Sequence, residues 1–459
     1  MKKSKLYLII GLLSLAPLGA SANSLQDIYK LALENDAQLK ADKAGYEAGK
    51  ENDNIALAGL LPQINADYTY KDEDRETTNN LLPPPTVARK DTEKSAGWGA
   101  SLRQPLFDMS AWYTYKQGQK LSAQAEAQFG ADQQSLIVRV AQAYFNVLRA
   151  VDKLEATLAE EDALTHQLDQ TKQRFDVGLI AMTEVHEAQA AFDSATAAAL
   201  EARGSLGISF EALEVLTGKA EDQIAPLSDK FPVTNPTPAD RAEWVSFSIK
   251  NNYNLKVAQL RARAAEATAD ATRAGHYPTV NATLAYSKSD SEGDRETVNG
   301  PFDNTFEGSS ITIGVNVPIF SGGGTSSRTR QAVALELQAQ EQFNSTQRST
   351  IQNTRGLHLT VETDVARIQA RKQAVISNQS ALDATQSGYD VGTRNLVEVL
   401  LAQRNLYQAR RDYSDALFDY IINSVKLREV AGMLTPADVQ EIDKWLQIGS
   451  DVSRNKYEK

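Results

Sequence analysis

Phe175-Asp176-Val177-Gly178 returns 214 positions later as Tyr389-Asp390-Val391-Gly392. Glu184-Val185 follows the first copy and Glu398-Val399 follows the second at the same interval. The register extends outward, with Gln189 matching Gln403, Leu213 matching Leu427 and Gly218 matching Gly432. So long a constant offset marks an internal duplication, and the fold is read as two copies of one unit.

Within each copy the Asp-Val-Gly triplet is a helix stop. Glycine suits the left-handed residue just past a helix end. Asp176, Gly178, Asp390 and Gly392 are therefore expected at the turns of two hairpin tips, with new helices starting near Thr183 and near Asn395. No proline lies between Pro105 and Pro226, or between Pro318 and Pro436, which predicts two stretches of very long helix. The helix over residues 110–172 spans about 95 Å at ~1.5 Å per residue. Leu136, Val140, Tyr144, Val147, Val151, Leu154 and Leu158 alternate steps of four and three, the spacing of a coiled-coil seam. Ile137, Ala141 and Leu148 add a second stripe, so this helix packs on two neighbours. The alanine-rich run over 188–202 permits close helix approach, and the expected product is two antiparallel helical hairpins per chain.

Upstream of each rod the period changes. Residues 24–60 and 242–275 read as helices that end near Pro62 and Pro278. After these prolines, Ile64, Ala66, Tyr68 and Tyr70 alternate with polar residues, as do Val280, Ala282, Leu284 and Tyr286 with theirs. Period two gives a strand with one apolar and one polar face. Two polar segments follow, 71–94 and 287–309, which read as exposed loops. Each returns through a further alternating run, Trp98-Ala100-Leu102 and Ile311-Ile313-Val315-Val317, that ends at Pro105 or Pro318. Each half is thus helix, strand, loop, strand, helix. The strands fit a membrane β-barrel or a pair of soluble hairpins. Four strands are too few to close a barrel, and open edges are not tolerated in lipid, so the membrane reading requires several chains.

Lys2, Lys3 and Lys5 precede an apolar run over 6–18 and the small-x-small triplet Ala20-Ser21-Ala22, the form of a cleaved signal peptide over 1–22. The 459-residue chain carries net charge −11, and removal of the three lysines makes the mature chain still more acidic, which argues against nucleic acid. No cysteine is present, which excludes disulfides and thiolate metal sites. The four histidines, His166, His186, His276 and His358, lack ligand spacing and read as exposed residues. No metal, cofactor or catalytic residue is expected. No other segment reaches the length of a helical membrane span.

These residues resemble the TolC family of outer-membrane efflux proteins over essentially the whole mature chain. The resemblance is carried by Gln173-Arg174-Phe175-Asp176-Val177-Gly178, by residues 388–394, by Ala143-Tyr144-Phe145-Asn146-Val147-Leu148 and by the paired prolines. It implies an α+β membrane protein, a homotrimer with a 12-stranded barrel of four strands per chain, continued by an α-helical coiled-coil tunnel. The units become 23–217 and 242–432 as structural repeats, 218–241 as a linker or equatorial side segment, and 433–459 as an equatorial tail, in which 437–448 has room for a short helix. The implied function is a passive exit duct for tripartite efflux or type I secretion. Its partners are a periplasmic adaptor, an inner-membrane pump or ABC exporter, and outer-membrane lipid. It places the protein in the outer membrane of a Gram-negative bacterium with its helices in the periplasm and the polar strand-connecting segments outside the cell.

Carried over by position, the gating links fall on Tyr389 with Glu184 and on Arg394 with Thr183. The pore constriction falls on Glu398 and Leu401, where the uncharged Leu401 departs from a doubly acidic ring. Bland roles compete: Asn395 and Glu398 fit a capping box, and Arg394 fits a solvated turn. The alternative to a duct is a periplasmic coiled-coil scaffold or adaptor without a pore. An enzyme is disfavoured, because the chain shows no nucleophile elbow, P-loop or H-E-x-x-H motif.

Overall fold

The computed structural model describes residues 23–78, 88–295, 300–447 and 452–454. The signal peptide and the Pro83-Pro84-Pro85 run lie outside the described residues. Two compact units emerge. One takes the described residues of Met1–Lys40, Gln133–Lys250 and Gln352–Lys459; the other takes those of Ala41–Asp132 and Asn251–Ile351.

The first unit holds α1 (Leu25–Asn35), α4 (Met182–Thr217), α5 (Arg241–Asn251), α8 (Leu396–Val430) and α9 (Pro436–Asp443). It also holds the C-terminal parts of the long helices α3 (Met109–Asp176) and α7 (Gly324–Asp390). The α3 seam forms because its apolar residues recur on one face: Leu136, Val140, Tyr144, Val147, Val151 and Leu154 are all buried, as are Ile137, Ala141 and Leu148 of the second stripe. On α4 the small residues Ala188, Ala195, Ala199 and Ala202 are buried, so its neighbours approach closely.

The duplication reaches this core. The six seam residues from Leu136 to Leu154 have buried α7 counterparts at the 214-residue offset: Thr350, Thr354, His358, Val361, Val365 and Ile368. The second seam is more polar. His358, expected to be exposed, is 1% exposed, with its ring 6.4 Å from that of Trp244. The correction follows from position, since His358 takes the place that Tyr144 has in the first copy.

The segment 218–241 packs as a satellite of this unit. Its short strand β3 (Gln223–Ile224) pairs antiparallel with β6 (Val452–Ser453), and Tyr144 Oη donates to the Ala225 carbonyl at 2.6 Å. The tail helix is shorter than expected. It ends at Asp443 and is started by a capping box between Thr435 and Asp438.

The second unit holds most of α2 (Ala37–Leu57), all of α6 (Tyr253–Arg273) and the N-terminal parts of α3 and α7. Gly118 is required where α2 meets α3, because a Cβ there would lie 2.6 Å from the Asn52 carbonyl oxygen. The unit also holds an antiparallel sheet in the order β1-β2-β4-β5. Its strands are β1 (Gln63–Thr78), β2 (Ala88–Phe107), β4 (Thr279–Arg295) and β5 (Gly300–Asn316). Ile64, Leu102, Leu284 and Ile311 fall in one row across all four strands. The next residues, Gln63, Arg103, Thr283 and Thr312, form a polar row facing the other way.

Two expectations change here. Residues 71–78, 88–94, 287–295 and 300–309 are strand, not loop. Their polarity marks exposure, but the backbone ladder continues because opposite charges meet across it, as in Asp72 with Lys94 and Glu76 with Lys90. The N-terminal helix of each half is also broken, at Asp36 and at Asn252. Both are caps: Asp36 Oδ2 accepts from Leu39 N at 3.0 Å, and Asn252 Oδ1 accepts from Leu255 N at 2.8 Å.

Asp36 is 3% exposed and carries a second partner, the Arg139 guanidinium, at 2.6 Å. Burial alone would raise its carboxyl, but Arg139 and the backbone N–H groups of Leu39 and Gln38 hold it below the usual value. Its stabilisation is therefore present above the ordinary Asp range and is lost as pH falls through the lowered folded value. Asp36→Ala should lower stability by about 2 kcal/mol at neutral pH, through loss of the cap and of the charge-assisted bond. Asp36→Asn retains a cap acceptor and should lose less. Thermal melts of both variants at pH 7 and near pH 3 check this, since the penalty of Asp36→Asn should shrink in acid.

Candidate functional site

The hairpin tips are built by the duplicated motif. Both long helices end at the motif aspartate, Asp176 or Asp390, and Gly178 and Gly392 follow with φ of 77° and 81°. Each turn closes with the same two bonds. Gly178 N donates to Phe175 O at 2.8 Å and Leu179 N to Arg174 O at 2.9 Å; Gly392 N donates to Tyr389 O at 3.0 Å and Thr393 N to Gly388 O at 2.8 Å. This is the Schellman arrangement, which needs the left-handed glycine. The return helices start differently. Asn395 caps α8 by accepting from Glu398 N at 3.0 Å, whereas Ala181 gives α4 no side-chain cap.

The two tips meet through an apolar cluster of Leu168, Ala188, Tyr389, Leu396 and Val399. Tyr389 is 5% exposed within it, while its counterpart Phe175 lies on the surface. The Tyr389 hydroxyl points to Glu184 Oε2 at 3.5 Å, a long contact that joins the second hairpin to the first. The Arg174 guanidinium lies over the Tyr389 ring, 4.7 Å from its centroid.

The expected link from Arg394 to Thr183 is not among the hydrogen bonds of the described residues. Arg394 Nη1 instead donates to Glu398 Oε2 at 2.6 Å, one turn along. The bland reading of Asn395 as a cap holds, but the Glu398 carboxylate goes to Arg394 rather than back to the cap. Thr183 is exposed. Leu401 is exposed, one turn beyond Glu398 on α8, and lines a cleft with Val397, Leu400 and Arg404. The sequence reading missed Arg174. It was legible only as a departure from the repeat, since the matching position is Gly388.

Among the described residues no helix is long and apolar enough to cross a membrane, and no cluster of His, Asp and Glu has the makings of a metal site. The apolar face of the sheet is exposed, with Ile64, Tyr68, Tyr70, Trp98, Ile311, Ile313 and Val315 all facing outward without cover. A one-sided sheet joined to duplicated long hairpins defines an outer-membrane channel protein. Residues 28–219 and 244–433 both match the family model described as outer membrane efflux protein, and the chain belongs to that family. It is 35% identical to the outer membrane protein TolC of Vibrio cholerae, over 93% of this chain and 94% of that relative. It is 30% identical to the alkaline protease secretion protein AprF of Pseudomonas aeruginosa, over 96% of this chain and 91% of that one. The crystal structure of the outer membrane protein VceC of Vibrio cholerae shares the fold, with a TM-score of 0.74 at 18% identity, over 89% of this chain and 96% of VceC.

Proposed function

We propose that three copies of this chain close a 12-stranded barrel and form the passive exit duct of efflux and type I secretion assemblies. One observation carries the reading. The sheet has an apolar face and two edges, β1 and β5, each with a neighbour on one side only. An unpaired strand edge in hydrocarbon leaves its backbone groups unsatisfied, at several kcal/mol each. Pairing β5 of one copy with β1 of the next removes every edge. Two copies would give eight strands, whose interior side chains fill the barrel; three leave a passage. The uncovered apolar face counts equally against a pore-less scaffold.

The secretion half of the proposal rests on likeness to AprF, named for alkaline protease secretion. In this reading an adaptor and an inner-membrane pump or ABC exporter deliver the cargo from the periplasm. The polar ends of the strands stand outside the cell. The hairpin tips form the gate, held by Tyr389 and Glu184, and Glu398 with Leu401 lines the narrowest section. Native mass measurement of the mature protein in detergent should return three chains. A monomer in both detergent and lipid would overturn the assembly.

A further inference from the structure

We propose that the inner wall of the barrel carries a site for lipophilic cations, a glycine-floored hollow with Phe306 on one side and Asp67 on the other. This rests on the reading of three copies as one barrel, which turns the polar face of the sheet toward the passage. Phe306 lies six residues from Thr312 of the polar row, so it shares that face. Its own row across the sheet is Thr69, Gly97, Ser289 and Phe306. The next row is Asp67, Gly99, Ser287 and Gly308.

A large aromatic on so polar a face needs a reason. Phe302, two rows away, has a structural one: it covers Gly293 of β4, where a Cβ would lie 3.0 Å from its ring. Phe306 covers no neighbouring strand. Its ring reaches only Gly308 of its own strand, 3.5 Å from a Cβ built there, so it lies along the wall. It is 65% exposed, and its row-mates are too short to shield it. Beside it is a hollow of about 280 Å³, lined in part by Asp67, Thr69, Gly97, Gly99, Ser287 and Ser289. Ser289 and Ser287 are the ladder partners of Phe306 and Gly308, so the ring borders the hollow. Glycine keeps the space open. A Cβ at Gly97 would lie 3.2 Å from that of Ser289, and one at Gly99 3.1 Å from Asp67 Oδ1.

The charges on this face select the ligand. Lys71 and Arg75 are both paired with Glu73 of their own strand. Asp67 makes no ion pair or side-chain hydrogen bond among the described residues. A free carboxylate and an open aromatic face both attract cations, and the ring adds apolar contact. Twelve strands ~4.8 Å apart and tilted by ~40° close at a radius of about 12 Å, so three such sites line the passage without shutting it. Binding on an exposed wall is weak, as release from a duct requires.

Block by tetraphenylphosphonium in a planar bilayer tests this, with the trimer first confirmed by native mass measurement. The ion is added on the side of the strand-connecting segments, from which it meets the wall before the tips. It should interrupt the current, and Phe306→Ser should shorten the interruptions about tenfold, the order of one desolvated cation–ring contact. Phe306→Tyr keeps a ring and should keep the wild-type dwell time. Asp67→Asn should shorten the dwell several-fold at low salt and little at about 1 M, where screening is nearly complete. Phe302→Leu should leave it unchanged. Tetraphenylborate, of the same shape and opposite charge, should dwell for less time. If Phe306→Ser and Asp67→Asn both keep wild-type dwell times in an intact trimer, the inference falls while the barrel stands. Equal shortening in Phe302→Leu would make the effect one of the whole strand and overturn the site. Borate events as long as those of the phosphonium ion would overturn the preference for cations. A monomer would remove barrel and site together.

Discussion

Replacing Tyr144 by alanine is expected to cause a large loss of stability and to free residues 218–241 for proteolysis. The ring is fully buried and packs edge-on against Phe145, which in turn packs against Phe418 of α8. Removing a large aromatic from such a site costs about 3–5 kcal/mol. The hydroxyl adds a second effect, because it donates to the Ala225 carbonyl and ties the satellite segment to α3. Left without that donor, a buried carbonyl costs about 1–3 kcal/mol. Tyr144→Phe isolates this part and should lose only it. Burial pushes the phenol above its usual value, so the native state keeps it neutral. The stabilisation is therefore whole below pH ~10 and falls as pH rises beyond it, a fall that Tyr144→Phe should lessen, while the buried phenols of Tyr29 and Tyr407 keep their own share. Thermal melts and the rate of trypsin cleavage at Lys219, Lys230 and Arg241 read both effects. Wild-type melting and cleavage in Tyr144→Ala would show that the segment is held by something else.

The architecture was readable because it is repeated and because its two periods are far apart. A four-three seam and a two-residue alternation cannot be confused over lengths such as residues 136–158 or 64–70. The prolines mark where one gives way to the other. Composition misled where it was used as a proxy for backbone state. Residues 71–77 are mostly charged and exposed, but the backbone ladder carries the strand through them, with Asp72 opposite Lys94 and Arg75 opposite Asp91. His358 was misread for a related reason. Its buried neighbours Thr350 and Thr354 carry no apolar signal, yet the 214-residue offset ties it to Tyr144. The breaks at Asp36 and Asn252 are single-residue capping events inside otherwise helical composition.

The tip was legible in part. The duplicated turn fixed the glycines, and the family resemblance pointed to Tyr389 with Glu184. Side-chain direction was not legible. That Arg394 lies against the backbone of Gly388, where a Cβ would come within 2.7 Å of its Cγ, is a three-dimensional fact that the spacing of the motif does not carry.

The fold-back of Arg394 changes what is expected of Glu398. As an isolated acid, Glu398 in three copies would make a ring of negative charge that attracts cations. As found, each carboxylate is paired with Arg394, and at 37% and 59% side-chain exposure the pair itself is worth only about 0.5 kcal/mol. The pair adds little stability but decides the local charge, which is near zero. Glu398→Ala therefore does more than remove three negative charges: it leaves three unpaired arginines. A unit charge about 8 Å from a divalent ion, at an effective dielectric of ~20, changes its energy by about 4 kcal/mol, and salt screening roughly halves this. Block by multivalent cations should weaken at least tenfold, since about 1.4 kcal/mol suffices for that. Selectivity in a salt gradient should shift past neutrality toward anions. Removing both partners in Glu398→Ala with Arg394→Ala should bring it back near the wild-type value. Arg394→Ala alone should move it the other way, toward cations. Leu401, uncharged and one turn on, adds nothing to either sign. Reversal potentials in asymmetric potassium chloride read all three variants, and a Glu398→Ala channel with unchanged selectivity and unchanged block would remove Glu398 from the constriction.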